Sequence, residues 1–293
     1  MADYAGLKQA LAEFIESDRL IDDPLFTLAY GTDASFYRLV PRLVVRIRNE
    51  TEVIRLLRLV KWHHTPVTFR AAGTSLSGQA ITDSVLAVLE GNAWRDYEIS
   101  GDGLTIRLQP GVIGAQANKY LAPLQRKIGP DPASIATCKI GGIAANNASG
   151  MCCGVAQNSY QTLHSMRVVL ADGTLLDTAS EKSRSEFASQ HPMLLLELQR
   201  LARKVASNPG FAERIRKKYR IKNTTGYSLN ALVDFRDPID ILQHLMIGSE
   251  GTLGFISEIT YRTVEEHVHK ASALVFFSDV EAACHAVARL KSQ

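Results

Sequence analysis

Residues 70–80 read RAAGTSLSGQA: one arginine, then small and polar residues with glycines at 73 and 78. Such a run builds neither a packed strand nor one face of a helix. Its surroundings are more regular. TPVTFR (65–70) leads into it as a strand, and SVLAVLE (84–90) leaves it as another. Upstream lie a short β-branched strand, LVVRI (43–47), and NETEVIRLLRLVKWHH (49–64). The latter places Val53, Leu56, Leu57 and Val60 on one helical face behind a cap at Asn49 or Thr51. Strand, helix, strand, glycine-rich loop and strand make an α/β unit rather than a bundle or a sandwich. A tight loop of this kind exposes successive backbone N–H groups and forms a concavity for anions. The hydroxyls of Thr74, Ser75 and Ser77 add donors, and a phosphate or pyrophosphate is the natural guest. The loop lacks the G-K-[ST] ending of a Walker motif and the G-x-G-x-x-G spacing of a dinucleotide fingerprint.

Downstream, DYEIS and LTIRLQP flank Gly101-Asp102-Gly103 as a hairpin, and IGAQANKYLAPL follows as a helix. Residues 129–154 are dense in turn formers, and regular structure is not expected there. HSMRVVLADGTLLDT reads as a second hairpin, residues 181–218 as largely helical, and IGSEGTLGFISEITYRT as a turn running into a strand. An amphipathic helix is expected over 5–17. The final stretch, ASALVFFSDVEAACHAVARLKSQ, reads as one strand and one helix: either half of a βαβ unit that stops without its partner strand, or a helix that packs on the main sheet.

The composition excludes several classes. The 293 residues carry a net charge of only +3, and the one basic run, RIRKKYRIK (214–222), reads as a solvated helix end rather than a nucleic-acid surface. No apolar stretch is long enough to span a bilayer. The N-terminal twenty residues lack the basic start and apolar middle of a secretory signal. Cysteines at 138, 152, 153 and 284 give no C-x-x-C pair, and the eight histidines give no ligand spacing, so no metal is expected. Reduced thiols favour a cytoplasmic protein, with attachment to the inner face of the membrane as the alternative.

Three further segments share the character of the first loop: GPDPAS (129–134), GGIAANNASG (141–150) and IGSEGTLG (247–254). Close-approach loops spread over nearly two hundred residues suit a long, extended dinucleotide. Taken in order with RAAGTSLSG and QPGV, these segments resemble the vanillyl-alcohol-oxidase, or PCMH-type, superfamily of FAD-binding domains. Within it the chain resembles the D-lactate, glycolate and D-2-hydroxyglutarate dehydrogenase branch over roughly residues 25–265. The fold this implies is α+β, with two subdomains of mixed sheets and helices. The expected division is an N-terminal helical segment (1–25), the FAD-binding domain (26–265) and the start of a truncated substrate domain (266–293).

The resemblance implies a role for each loop. Arg70, Ala72, Gly73, Thr74, Ser75, Leu76, Ser77, Gly78 and Gln79 would cradle the FAD pyrophosphate. Pro110, Gly111 and Val112 would lie beside the adenosine half. Asp131, Pro132 and Ser134 would approach the ribityl chain or the flavin ring. Gly141, Gly142, Asn146, Ser149 and Gly150 would pass close to the isoalloxazine, and Glu250, Gly251, Gly254 and Ile256 would close the adenine end. RIKNTTGYSLNAL (220–232) resembles the stretch that reaches a substrate carboxylate, which makes Arg220, Lys222, Thr225 and Tyr227 the candidates. The first loop has no histidine for a tether, so FAD is expected to be non-covalent. The histidines and acid that act as base and metal ligands in this branch sit in a C-terminal domain motif that this sequence does not contain.

The implied reaction is hydride transfer from C2 of a small 2-hydroxy acid to FAD, with the remainder of the polypeptide or a partner subunit completing the site. The alternatives are a non-catalytic flavin-binding subunit and an enzyme like UDP-N-acetylenolpyruvoylglucosamine reductase. The NTTGY segment favours the dehydrogenase.

Overall fold

The computed structural model describes residues 2–269 and 271–290. Two sheets organise them. The first contains β1 (Leu20–Ile21), β2 (Leu43–Ile47), β3 (Val67–Arg70) and β4 (Val85–Leu89) in the order β1-β2-β4-β3. Here β2, β4 and β3 run parallel, and β1 is antiparallel to β2. The second holds β5 (Tyr97–Ile99), β6 (Thr105–Leu108), β7 (Arg126–Ile128), β8 (Leu163–Leu170), β9 (Leu175–Asp177) and β10 (Gly254–Glu265). Its order is β5-β6-β10-β8-β9, with β7 paired to the far end of β10, and all of these pairings are antiparallel. A mixed, mainly parallel sheet and an antiparallel one, each with helices, define the α+β fold that the motifs imply.

The helices in chain order are α1 (Tyr4–Leu11), α2 (Pro24–Ala29), α3 (Glu50–Trp62), α4 (Gly114–Leu121), α5 (Ile140–Asn146) and α6 (Ser159–Thr162). They continue as α7 (Glu181–Gln190), α8 (Pro192–Ala206), α9 (Pro209–Tyr219), α10 (Ala231–Asp234), α11 (Pro238–Met246) and α12 (Val280–Leu290). In α3 the cap is Asn49, whose side chain accepts the Glu52 N–H, and Val53, Leu56, Leu57 and Val60 form the buried stripe. With α1 they cover the first sheet, whose β2 is buried along most of its length, as suits a parallel strand covered on both faces. The second core gathers α4, α5, α8 and α11 against β6, β8 and β10. Phe255 of β10 joins the first core rather than the second. Its ring meets Phe69 at 4.9 Å and Trp94 at 5.2 Å between centroids, so the two sheets are packed together at this point.

Three expectations from the sequence are corrected. The first helix ends at Leu11, and the chain turns so that Ile15 is buried outside it. The turn-dense 140–146 segment is helical, because Ile140, Ile143 and Ala144 share a buried face and tertiary burial outweighs the weak propensity of Gly141 and Gly142. Residues 271–277 are exposed and form no strand among the described residues: an apolar run without a neighbouring edge has nothing to pair with. The helix expected after them is present as α12, with no buried residue. No helix of the described residues is long and apolar enough to cross a membrane.

One cap is strong enough to test. Asp237 accepts the N–H groups of Ile239 (2.9 Å) and Asp240 (3.1 Å) at the start of α11, and receives Arg184 Nη2 at 2.9 Å. Asp237→Ala is expected to lower stability by about 1–2 kcal/mol in a urea titration, since it removes both a cap and the negative charge at a helix N-terminus.

Candidate functional site

The 70–80 loop begins where β3 ends, at the C-terminal edge of the parallel sheet, where ligands of open α/β sheets bind. Positive φ at Gly73 (70°) and Gly78 (78°) curls it. Arg70 fastens the two ends, its Nε donating to Ala80 O at 2.8 Å. The Ser75 hydroxyl donates to Gln79 Oε1 and accepts the N–H groups of Ser77 and Gln79. The N–H groups of Gly73, Thr74, Ser75 and Leu76 have no protein acceptor among the described residues. Four unspent donors along one curl are the anion-binding concavity inferred from composition.

That loop forms one wall of a cavity of about 710 Å³ between the two sheets. Of the loop residues expected at a ligand, Arg70, Ala72, Gly73, Thr74, Ser75, Leu76, Ser77 and Gln79 line it. Gly78 lies outside that lining, against the Tyr37 ring. Pro110 lines the cavity, whereas Val112 is fully buried in the core. Gly111 backs onto the Trp94 carbonyl, to which its own N–H donates at 2.9 Å. Pro132 and Ser134 are in the lining. Asp131 is outside it and holds the following segment, accepting the N–H of Gly150 (3.1 Å) and of Cys153 (3.3 Å).

Gly141, Gly142, Asn146 and Ser149 reach the cavity from α5 and the turn after it. Gly150 does not, and a Cβ there would overlap the Asp131 carbonyl, so this glycine serves backbone packing. Glu250, Gly251, Gly254 and Ile256 complete the opposite wall. Of the substrate candidates, Lys222 and Thr225 line the cavity. Arg220 is the C-cap of α9 and faces Glu213 at 3.6 Å, and the Tyr227 hydroxyl pairs with Thr252 Oγ1 at 2.8 Å off the lining. Among the lining residues that escaped the sequence reading, Cys138 and Lys139 carry the reactive side chains. They sit immediately before α5, and only the position of that helix turns them inward.

The cavity wall is electropositive. Arg70, Lys139 and Lys222 line it, against the single carboxyl of Glu250. Burial lowers the pKa of Arg70, partly offset by Asp33 and Tyr30. Its Nη2 is buried without a partner among the described residues. Burial, reinforced by Arg95, likewise depresses Lys139. Burial pushes the Glu250 carboxyl up, against two amide hydrogen bonds that lower it, and pushes the Cys138 thiol up too. Phe69, Leu89, Phe255 and Ile256 supply an apolar end. An elongated guest with an anionic middle and flat apolar ends fits this arrangement, and FAD has that form: the orphaned Arg70 Nη2 and the unspent loop N–H groups suit its diphosphate.

Comparison with known proteins agrees. The FAD binding domain family matches residues 41–179. The glycolate oxidase subunit GlcD of Bacillus subtilis is 25% identical over 283 residues, covering 96% of this chain and 49% of that protein. D-2-hydroxyglutarate dehydrogenase of Pantoea ananatis is 29% identical over 239 residues, covering 79% of this chain and 23% of its own. Among solved structures, an alkyldihydroxyacetonephosphate synthase superposes with a TM-score of 0.60 at 18% identity, covering 90% of this chain and 41% of the other. The chain thus spans half or less of the length of these relatives. Residues 41–179 thus match an FAD binding domain, and the chain is similar over most of its length to a glycolate oxidase subunit and to a D-2-hydroxyglutarate dehydrogenase.

Proposed function

We propose that this chain is the cofactor-holding part of a flavin-dependent dehydrogenase of small D-2-hydroxy acids, with FAD bound non-covalently in the cavity between the sheets. One observation carries the reading: four loop N–H groups and the buried Nη2 of Arg70 are left unpaired on one wall. A diphosphate satisfies all of them. Bound FAD would supply the hydride acceptor for C2 of the substrate. The chain's own task is to orient it, exclude water from it and balance its charge.

Division of the chain follows from this reading. Residues 26–265 form the FAD-binding domain behind an N-terminal helical segment (1–25), and 266–293 begin a substrate domain. The exposed apolar side chains of Leu274 and Phe276 and the unburied α12 are consistent with a surface made to be covered. The groups that take the hydroxyl proton lie on whatever completes the site, the rest of a longer polypeptide or a partner subunit. Lys222 and Thr225 are the groups on this wall suited to a substrate carboxylate, a cation and a hydroxyl together.

The non-covalent reading has its own support. A glucooligosaccharide oxidase of the same fold is described with a 6-S-cysteinyl, 8α-N1-histidyl FAD. Here no histidine is in the cavity lining among the described residues, and the one cysteine there, Cys138, is held in its thiol form by burial. The deciding experiment is an absorption spectrum of the purified chain, recorded after FAD addition and desalting and again after denaturation. Flavin bands that survive desalting and leave on denaturation are expected. Bands retained by denatured protein overturn the non-covalent reading, and no binding by folded protein overturns the site.

A further inference from the structure

We propose that Glu250 binds the cofactor as a neutral carboxylic acid, so that FAD entry takes one proton from solvent onto this residue. The inference rests on the reading of the cavity as the FAD site and concerns the only carboxyl in its lining among the described residues.

Glu250 is held there by its backbone. It has a positive φ (54°), unusual for a residue with a side chain, between Gly248 (86°) and Gly251 (76°). The turn is docked on the end of α5, with Glu250 N–H donating to Ala145 O at 2.9 Å and Gly248 N–H to Ala144 O at 3.2 Å. This strained turn delivers Glu250 Oε1 to two amides from distant segments, Asn146 Nδ2 at 2.5 Å and Gln79 Nε2 at 3.5 Å. Through Gln79 the chain of contacts continues to the Ser75 hydroxyl of the phosphate loop. The side chain therefore ties the first loop to α5 across the cavity wall. All of its hydrogen bonds fall on Oε1, and Oε2 has no partner among the described residues.

No ion pair balances a charge on that carboxyl, whose only direct stabilisation comes from the two amide hydrogen bonds. The neighbours that touch it, Gln79 from the loop after β3 and Asn146 from α5, are neutral amides. The cations of the same wall are Arg70 at the end of β3, Lys139 before α5 and Lys222 from the segment after α9, and none forms an ion pair with it. Burial already favours the neutral form, and its raised pKa agrees. A diphosphate brings negative charge and displaces water, both of which push the same way. Protonation also gives Oε2 a hydrogen to donate, and FAD is rich in acceptors whereas a carboxylate is acceptor-only.

The sign follows from linkage. The carboxyl has a higher pKa with FAD bound than without it. At pH below both values the acid is protonated in either state, and affinity is at its maximum. Between them each binding event takes up a proton, and affinity falls by up to about tenfold per pH unit as pH rises. Above both, affinity levels off at its lower value.

The test is calorimetric titration of FAD into the full chain, in buffers of different ionisation enthalpy, across the range from about pH 5 to about pH 8 where perturbed carboxyls titrate. The expected result is an uptake approaching one proton and weaker binding as pH rises. Glu250→Gln copies the neutral acid, with an acceptor for the two amides and a donor in place of Oε2. It is expected to bind FAD as tightly as the unaltered chain at the acid end, more tightly at the alkaline end, and without that uptake. Binding with no proton uptake, or a Glu250→Gln chain that loses affinity at every pH while its circular dichroism is unchanged, overturns the proposal. Uptake that persists in Glu250→Gln assigns the proton to Lys139 and overturns it too. A folded chain that binds no FAD at any pH removes the cavity reading itself.

Discussion

Replacing Arg70 with methionine is expected to weaken FAD binding by roughly thirtyfold to a few thousandfold, the equivalent of about 2–5 kcal/mol for removing one partner of a buried charged hydrogen bond. The structure supplies the reason. Arg70 is only 9% exposed, and its Nε is spent on Ala80 O. Nη2 is buried with no partner, so the free protein carries a desolvated donor that an anion would satisfy. Methionine keeps much of the aliphatic stem and removes the orphaned charge. The fold loses the bond to Ala80 but also sheds a desolvation cost, and stability is expected to move by no more than about 1 kcal/mol. Binding and stability are thereby separable, the first read by FAD titration and the second by urea unfolding.

A rival arrangement exists in the same neighbourhood. Asp33 Oδ2 is also buried without a partner, and Asp33 is the nearby charge that supports the Arg70 guanidinium. If the arginine turned to Asp33 instead of the cavity, Asp33→Asn would mimic Arg70→Met in weakening FAD binding only slightly. If Arg70 serves the diphosphate, Asp33→Asn leaves the guanidinium without its one opposing charge, and FAD affinity rises or holds while Arg70→Met collapses. Equal, small effects from both substitutions would remove Arg70 from the site.

This dependence on one side chain's direction marks the limit of what the sequence disclosed. The strand, helix, strand and loop of 43–90 were legible because apolar residues recur at two distinct periods and an Asn cap announces the helix. The site loops were legible as segments because small residues and turn formers cluster there. Which member of each segment faces the cavity was not. Ser149 lines the wall and Gly150 packs on Asp131; Pro110 lines it and Gly111 packs on Trp94. A small residue permits close approach equally to a ligand and to another backbone, so composition cannot separate the two uses. The helix at 140–146 was hidden for a related reason. Its glycines advertise a turn, and its stabilising contacts come from Pro110 and the core around Val112, remote in sequence. Lys139 was invisible because nothing local distinguishes a cation aimed at a cofactor from one aimed at water.

The largest effect on stability is expected from Glu52→Ala, a loss of about 3–5 kcal/mol, because it leaves a buried cation with only an exposed carboxylate, Glu16, as its ionic partner. Arg19 is 1% exposed and Glu52 7%. Their contact is bidentate, Nη1 to Oε2 and Nη2 to Oε1, each 2.9 Å, and Arg19 Nη1 also donates to Arg46 O at 2.8 Å. Glu52 Oε2 accepts the Arg48 N–H at 2.7 Å, while Asn49 caps α3 by accepting the Glu52 N–H at 3.0 Å. One carboxylate thus joins the turn before β1, the end of β2 and the first turn of α3. Removing it leaves the guanidinium with Glu16, an exposed carboxylate, and the Arg46 carbonyl. The origin of the cost can be separated from the loss of the pair itself. Replacing both residues with apolar side chains removes the stranded charge together with its partner, so the double variant Arg19→Met, Glu52→Met is expected to recover most of what Glu52→Ala loses. A urea midpoint for the double variant as low as that of Glu52→Ala would instead show that the three-way junction, and not the uncompensated charge, carries the stability. The cavity lies beyond β4 and β3, on the other side of the sheet order from this junction. FAD affinity of the folded protein is therefore expected to be unchanged in either variant, which distinguishes a weakened frame from a damaged site.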